Sequence, residues 1–216
     1  MIRIKIFSRF LASSISLRHQ NCNKLHGSAL LSKSNCNYVY LESLYAKQEY
    51  RPVGVFILTC CANSEEYDNG HIDRYLIVRS AKTDREVWSF PQGGIDRGET
   101  FRDNFYRELS EELGMVEDQV DLVKTNFLTE EIDFDASRAR RCGFSKGKAY
   151  FFSQGMFDPE SSNIDNMHLD KQEIAEARWV TADSAIETFY RTSSKAKANL
   201  QKKAIEILQK LDTSEI

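Results

Sequence analysis

Three glutamates, Glu108, Glu111 and Glu112, stand at positions i, i+3 and i+4 of one stretch. On a helix that spacing puts their carboxylates on a single face. Held together in water they repel one another, and a hard divalent cation with oxygen ligands turns that repulsion into binding. Mg²⁺ keeps coordination positions open for phosphate oxygens, so the chemistry in view is that of phosphoryl groups. The competing reading is the solvated face of an amphipathic helix. Such a face mixes signs, whereas only Arg107 adjoins these three acids.

An element must position them. A helix is predicted from Thr100 to Leu113, with Phe101, Phe105 and Leu109 as the buried stripe. Gly114 falls where a left-handed residue closes a helix, and Met115 can fold back on it. Gly93, Gly94 and Gly98 let the preceding loop turn tightly. Strands are predicted over 51–62 and 74–80, forming a hairpin across a polar loop. A short strand over 87–94 ends on Pro and two glycines, with Trp88 and Phe90 packing the core beneath. Further strands are predicted over 121–129, 148–156 and 177–180. A helix follows the last of these. A second, over 194–211, puts Leu200, Ala204, Ile207, Leu208 and Leu211 on one face and Lys195, Lys197, Lys202 and Lys203 on a wet one. The expected fold is an α/β sandwich, a mixed sheet with helices on both sides.

Gly93, Glu99, Arg107, Glu108, Leu109, Glu111, Glu112, Gly114 and Met115 fill every defined position of the Nudix hydrolase signature. At average composition such a match arises by chance less than roughly once in a million. The chain therefore resembles that family over about residues 50–190. "YRPVGVFIL", "WSFPQGGIDRGE" and "EIAEARWV" are similar to the subgroup containing RNA pyrophosphohydrolases and diadenosine tetraphosphate hydrolases. Gln92, within "FPQGG", is the most telling of these residues.

The resemblance implies a Nudix-like α/β/α sandwich with a mixed sheet and a catalytic loop–helix. It implies that Glu108, Glu111 and Glu112 hold Mg²⁺ or Mn²⁺, with Glu173 as an added metal ligand or general base. Glu112 is the other candidate base, and Glu176 rivals Glu173. Gly93, Glu99, Arg107 and Gly114 would support the site, with Glu99 acting through Arg107. For substrate binding, Arg51 and Gln92 are candidates. So is the acid-free basic segment 137–148, with Arg138, Arg140 and Arg141 suited to an RNA backbone. A solvated loop is the alternative for that segment.

The first acid in the chain is Glu42, so residues 1–41 carry +6 and the remainder −9, for a net −3. Ile4, Phe7, Leu11 and Ile15 recur at helical spacing among serines and basic residues. Residues 1–45 read as a mitochondrial transit peptide, mostly disordered, with the matrix as destination. The catalytic domain is expected over 46–212, with a tail over 213–216. The five cysteines lack metal-site spacing, and no stretch reaches membrane-spanning length. The expected activity is release of pyrophosphate from the 5′ triphosphate end of RNA. Hydrolysis of dinucleoside polyphosphates is a second reading. An RNA-binding subunit of a processing complex, with little turnover, is a third.

Overall fold

The computed structural model describes residues 29–61, 72, 74–141, 143–157 and 167–212. The chain divides into two compact units between Ser43 and Leu44. Of the expected leader, residues 1–28 lie outside the described residues. The next element, α1 (Ala29–Lys47), runs across the division.

The second unit is built on a seven-stranded mixed sheet. Its strands are β1 (Tyr50–Cys60), β2 (Arg74–Ser80), β3 (Trp88–Ser89), β4 (Gln92–Gly94), β5 (Val120–Asp133), β6 (Gly147–Phe157) and β7 (Ile174–Val180). β1 lies at its centre, parallel to β6 along its whole length. Every β1 residue but Arg51 is buried, which is why the strand reads as an unbroken apolar run.

On its other edge β1 has two partners. The predicted hairpin with β2 exists only at Thr59–Tyr75 and Cys60–Arg74, after which the strands diverge. β4 enters the gap and pairs with Val53–Val55. The single strand expected over 87–94 is thus two, broken at Phe90–Pro91, where proline lacks the N–H a ladder needs.

Side chains of β1 alternate between two cores. Val53, Val55 and Ile57 pack with Phe152, Phe189 and Leu208, under α4 (Ala182–Thr192) and α5 (Lys195–Asp212). Phe56 and Leu58 pack with Phe105, Leu109 and Leu113 of α2 (Phe101–Leu113). The sheet is therefore covered by helices on both faces. Segment 136–141 forms the short helix α3 (Ala136–Arg141), started by Asp135, whose Oδ1 accepts from the Ser137 and Arg138 N–H at 3.1 and 2.9 Å. On α5, Ile205 is buried instead of the expected Ile207, and Leu211 is exposed. The buried apolar residues there are Ala198, Leu200, Ala204, Ile205 and Leu208, so Leu200, Ala204 and Leu208 of the expected face are in the core.

Candidate active site

α2 is fixed at both ends by local chemistry. Thr100 Oγ1 accepts from the Asp103 N–H at 3.1 Å, and Asp103 Oδ2 accepts from the Thr100 N–H at 3.4 Å. At the other end Gly114 takes φ 65°, a left-handed conformation that L side chains avoid. A Cβ there would also lie 2.6 Å from His168 Cβ, so the glycine lets segment 167–173 pack against the helix end.

The loop before α2 is tied to it by Arg107. Its Nε and Nη2 donate to Glu99 at 2.7 and 3.0 Å, and Nη2 also donates to the Gly94 carbonyl at 2.9 Å. Asn104, buried, donates to the same carbonyl at 2.8 Å. Burial alone would raise Glu99, but the bonds from Arg107 bring it below the ordinary carboxylate range. Nη1 of Arg107 turns the other way and donates to Glu108 and Glu111 at 2.9 and 3.0 Å. One guanidinium thus couples the loop to two of the three glutamates. Gly93 completes the fit, since a Cβ on it would stand 1.8 Å from the Glu108 carboxyl carbon.

Gly93, Gly94, Glu108 and Glu111 line a cavity of about 710 Å³ at the place where β1 leaves β2 for β4. One wall is acidic, with Glu108, Glu111, Glu112, Asp170 and Glu173. Arg51 and Lys148, partners across the β1–β6 ladder, line it too, as does Gln92. Burial raises Glu108, though Arg107 opposes it. Burial, with Glu108 and Glu173 close by, pushes the Glu112 carboxyl up to about 8. Lys82 pairs with Glu173.

Among the described residues no group of three such side chains is arranged, as it stands, to hold a metal ion. The geometry gives the reason: Glu108 and Glu111 are both turned onto Arg107. The donor set itself suits a hard divalent cation, being all carboxylate, with Glu108 and Glu112 raised chiefly by burial and further by neighbouring carboxylates.

The NUDIX domain profile matches residues 52–202, more than half of the chain. The chain belongs to the NUDIX family. The RNA pyrophosphohydrolase of Psychrobacter cryohalolentis is 49% identical over 47 residues, which is 22% of this chain and 27% of that protein. The RNA pyrophosphohydrolase of Francisella tularensis subsp. mediasiatica is 35% identical over 104 residues, 46% of this chain and 65% of that one. Both matches span less than two thirds of the relative's length. The dihydroneopterin triphosphate pyrophosphohydrolase of E. coli superposes with a TM-score of 0.51 at 16% identity, covering 73% of this chain and 95% of that one. That likeness is one of fold.

Within this NUDIX domain, Glu108, Glu111, Glu112, Glu173, Arg51, Gln92 and Gly93 come together at one cavity. Glu176 stands away from that lining and pairs with Arg79 at 3.3 Å. Arg138, Arg140 and Arg141 are not brought to it either. Arg138 lies over the Phe134 ring, 4.0 Å from its centroid, while Arg140 and Arg141 are exposed on α3. Sequence reasoning missed Asp170, Lys82 and Asn104, and passed over Lys148 as one charge of a basic run. A signal existed for Asp170, which precedes Glu173 by three residues and whose carbonyl accepts from the Glu173 N–H at 3.0 Å. Nothing local marks Lys82, whose place follows from the turn after β2.

Proposed function

We propose that the chain is a divalent-metal-dependent pyrophosphohydrolase acting on the 5′ triphosphate end of RNA. One observation carries this reading: a single cavity that sets five carboxylates beside Arg51 and Lys148. Acids suited to Mg²⁺ or Mn²⁺ beside cations suited to phosphate are the pairing that a metal-bound polyphosphate requires. RNA is preferred because the curated relatives named above are RNA pyrophosphohydrolases.

Bound between Glu108, Glu111 and Glu112, a divalent ion would polarise the phosphates and offset their charge in the transition state. The residues supply the rest. Arg51 and Lys148 hold phosphate oxygens. Arg107, released from Glu108 and Glu111, keeps Glu99 and the Gly94 carbonyl and so maintains the loop. Water supplies the oxygen, the anhydride bond between the α and β phosphates breaks, and pyrophosphate leaves. The water's proton goes to the Glu112–Glu173 pair, whose members are close enough that Glu173 raises Glu112.

The test is product analysis of the purified protein on triphosphorylated RNA beside diadenosine tetraphosphate, in Mg²⁺ and in Mn²⁺. Pyrophosphate and 5′-monophosphorylated RNA are expected. Turnover of the dinucleotide alone would replace the substrate, and turnover of neither would leave the third reading, a binding subunit. We also propose that residues 1–45 direct the chain to the mitochondrial matrix, on the strength of the basic composition of residues 1–41, which hold no acid. A reporter fused to them should enter mitochondria, and one carrying Lys5→Glu and Arg9→Glu should stay out.

A further inference from the structure

A second cavity, of about 230 Å³, lies between the first turn of α5, the end of β5 and α3. Arg138, Lys197, Asp133, Tyr150 and Ser194 are on its wall. Most of its polar groups are engaged within the protein. Asp133 accepts the Tyr50 hydroxyl at 2.7 Å, Ser194 Oγ accepts the Lys197 backbone N–H at 3.4 Å, and Arg138 is stacked on Phe134. The Lys197 ammonium is placed differently. It is partly buried, and the neighbouring charges it feels are those of Lys148 and Arg138. Burial and these two cations bring it down to about 7.

An ammonium packed against like charges is relieved by an anion. The start of α5, an 18-residue helix, adds the partial positive charge of its N-terminus to the same wall. Lys148 links this cavity to the larger one. It lines the carboxylate cavity beside Arg51, and Tyr150, two residues further along β6 and so on the same side of the sheet, lines the second cavity. Arg51 and Lys148 at the larger cavity are thus joined along β6 to the second cavity, which Lys197 and Arg138 line.

We infer that the second cavity takes a phosphodiester of a polynucleotide, the one 3′ to the nucleotide whose triphosphate lies at the carboxylates. This rests on the reading of the larger cavity as an RNA 5′-end site and deepens it. A free nucleoside triphosphate ends at its ribose and has no such phosphate. In a dinucleoside polyphosphate every phosphate lies in the one chain held at the acidic wall. Of these three, only a polynucleotide offers a further anion beyond the first nucleoside, so Lys197 and Arg138 select for RNA over nucleoside triphosphates and dinucleoside polyphosphates.

The test measures equilibrium binding, in Mg²⁺, of a labelled RNA pentanucleotide whose 5′ triphosphate carries a non-hydrolysable methylene bridge between the α and β phosphorus atoms, to the full chain by fluorescence anisotropy, with the matching methylene analogue of ATP as competitor. Lys197→Met with Arg138→Gln should weaken RNA binding about tenfold or more and flatten its salt dependence by about one to two units. Competition by the ATP analogue should not change, nor should RNA binding by Lys210→Gln at the far end of α5. Lys197→Arg should bind RNA like the unaltered chain, since it keeps the charge. RNA affinity within twofold in the double variant, an equal loss for the ATP analogue, or failure of Lys197→Arg to bind would each overturn the inference. Pyrophosphate release from the same RNA with an ordinary 5′ triphosphate by the unaltered chain in Mg²⁺ tests the parent reading separately. Charge-dependent binding without release sinks that reading alone, and release with charge-independent binding sinks the inference alone.

Discussion

Glu112 is 9% exposed and shares its surroundings with Glu108 and Glu173. A carboxyl whose folded value is near 8, against an ordinary 4.5, binds its proton more tightly in the folded chain than in the unfolded one. Its ionisation therefore costs stability. The metal-free protein should be most stable with respect to this group below about pH 4.5 and should lose that contribution as pH rises through about 8. Glu112→Gln should remove the decline, and Mg²⁺ should offset it in the unaltered chain, both read as melting temperature against pH in EDTA and in Mg²⁺. The same variant, and Glu111→Gln, should reduce turnover about a hundredfold, since each loses a ligand charge at constant volume. Near-normal hydrolysis by either would remove it from the metal set. Arg107 makes the opposite kind of contribution, joining Glu99, Glu108, Glu111 and the Gly94 carbonyl. Arg107→Ala leaves the largely buried Glu99 carboxylate without its cation, a loss of about 3 kcal/mol that a denaturant titration would read. Arg107→Lys should recover only part of it, because a lysine lacks the fork that grips both Glu99 oxygens.

At the scale of elements, the loop–helix was legible almost to the residue, because its determinants are local. Thr100 caps, Gly114 closes, and of the expected stripe Phe105 and Leu109 are buried; Phe101, in the first turn, is only half-buried, and Leu113 continues the stripe instead. Gly93 was legible as a glycine but not in its reason. The sequence suggests a tight turn, whereas in the fold Gly93 sits extended in β4 with the Glu108 carboxylate against its Cα. Gly93→Ala should therefore act as a site variant: turnover falls about a hundredfold while the melting temperature moves by only a few degrees. A large loss of stability with intact turnover would show instead that the strand, not the carboxylate, needs the glycine. What was not legible depends on juxtaposition across the chain. Lys197 shares the spacing of Lys195, Lys202 and Lys203, so helical periodicity put all four on a wet face. Lys203 meets Glu130 and Lys202 meets Glu206 at 3.5 Å, but Lys197 faces the cavity beside Arg138. Periodicity cannot tell these apart, because α3 and the end of β5, which wall that cavity, are distant in sequence.

For the whole molecule, the charge step at Glu42 and the structural division between Ser43 and Leu44 fall almost together. Composition places the start of the catalytic unit near residue 46, whereas packing brings Leu44 and Tyr45 into it. Leu44 is 3% exposed, and the Tyr45 hydroxyl donates to the Ile95 carbonyl in the loop that precedes α2. That loop also carries Glu99, so the last turn of α1 braces the same segment Arg107 holds from the other side. A chain beginning at Leu44 keeps both contacts, and one beginning at residue 46 loses them. Burial of a leucine contributes about 2 kcal/mol and a hydrogen bond about 1 kcal/mol. In a domain of this size that corresponds to a melting temperature lower by about 6–12 °C in the shorter chain. Tyr45→Phe in the longer one should show only the hydrogen-bond share, about 2–4 °C. Equal melting of the 44–216 and 46–216 chains would show that α1 contributes nothing to the loop. A shorter chain that melts lower yet turns over normally would confine the brace to stability.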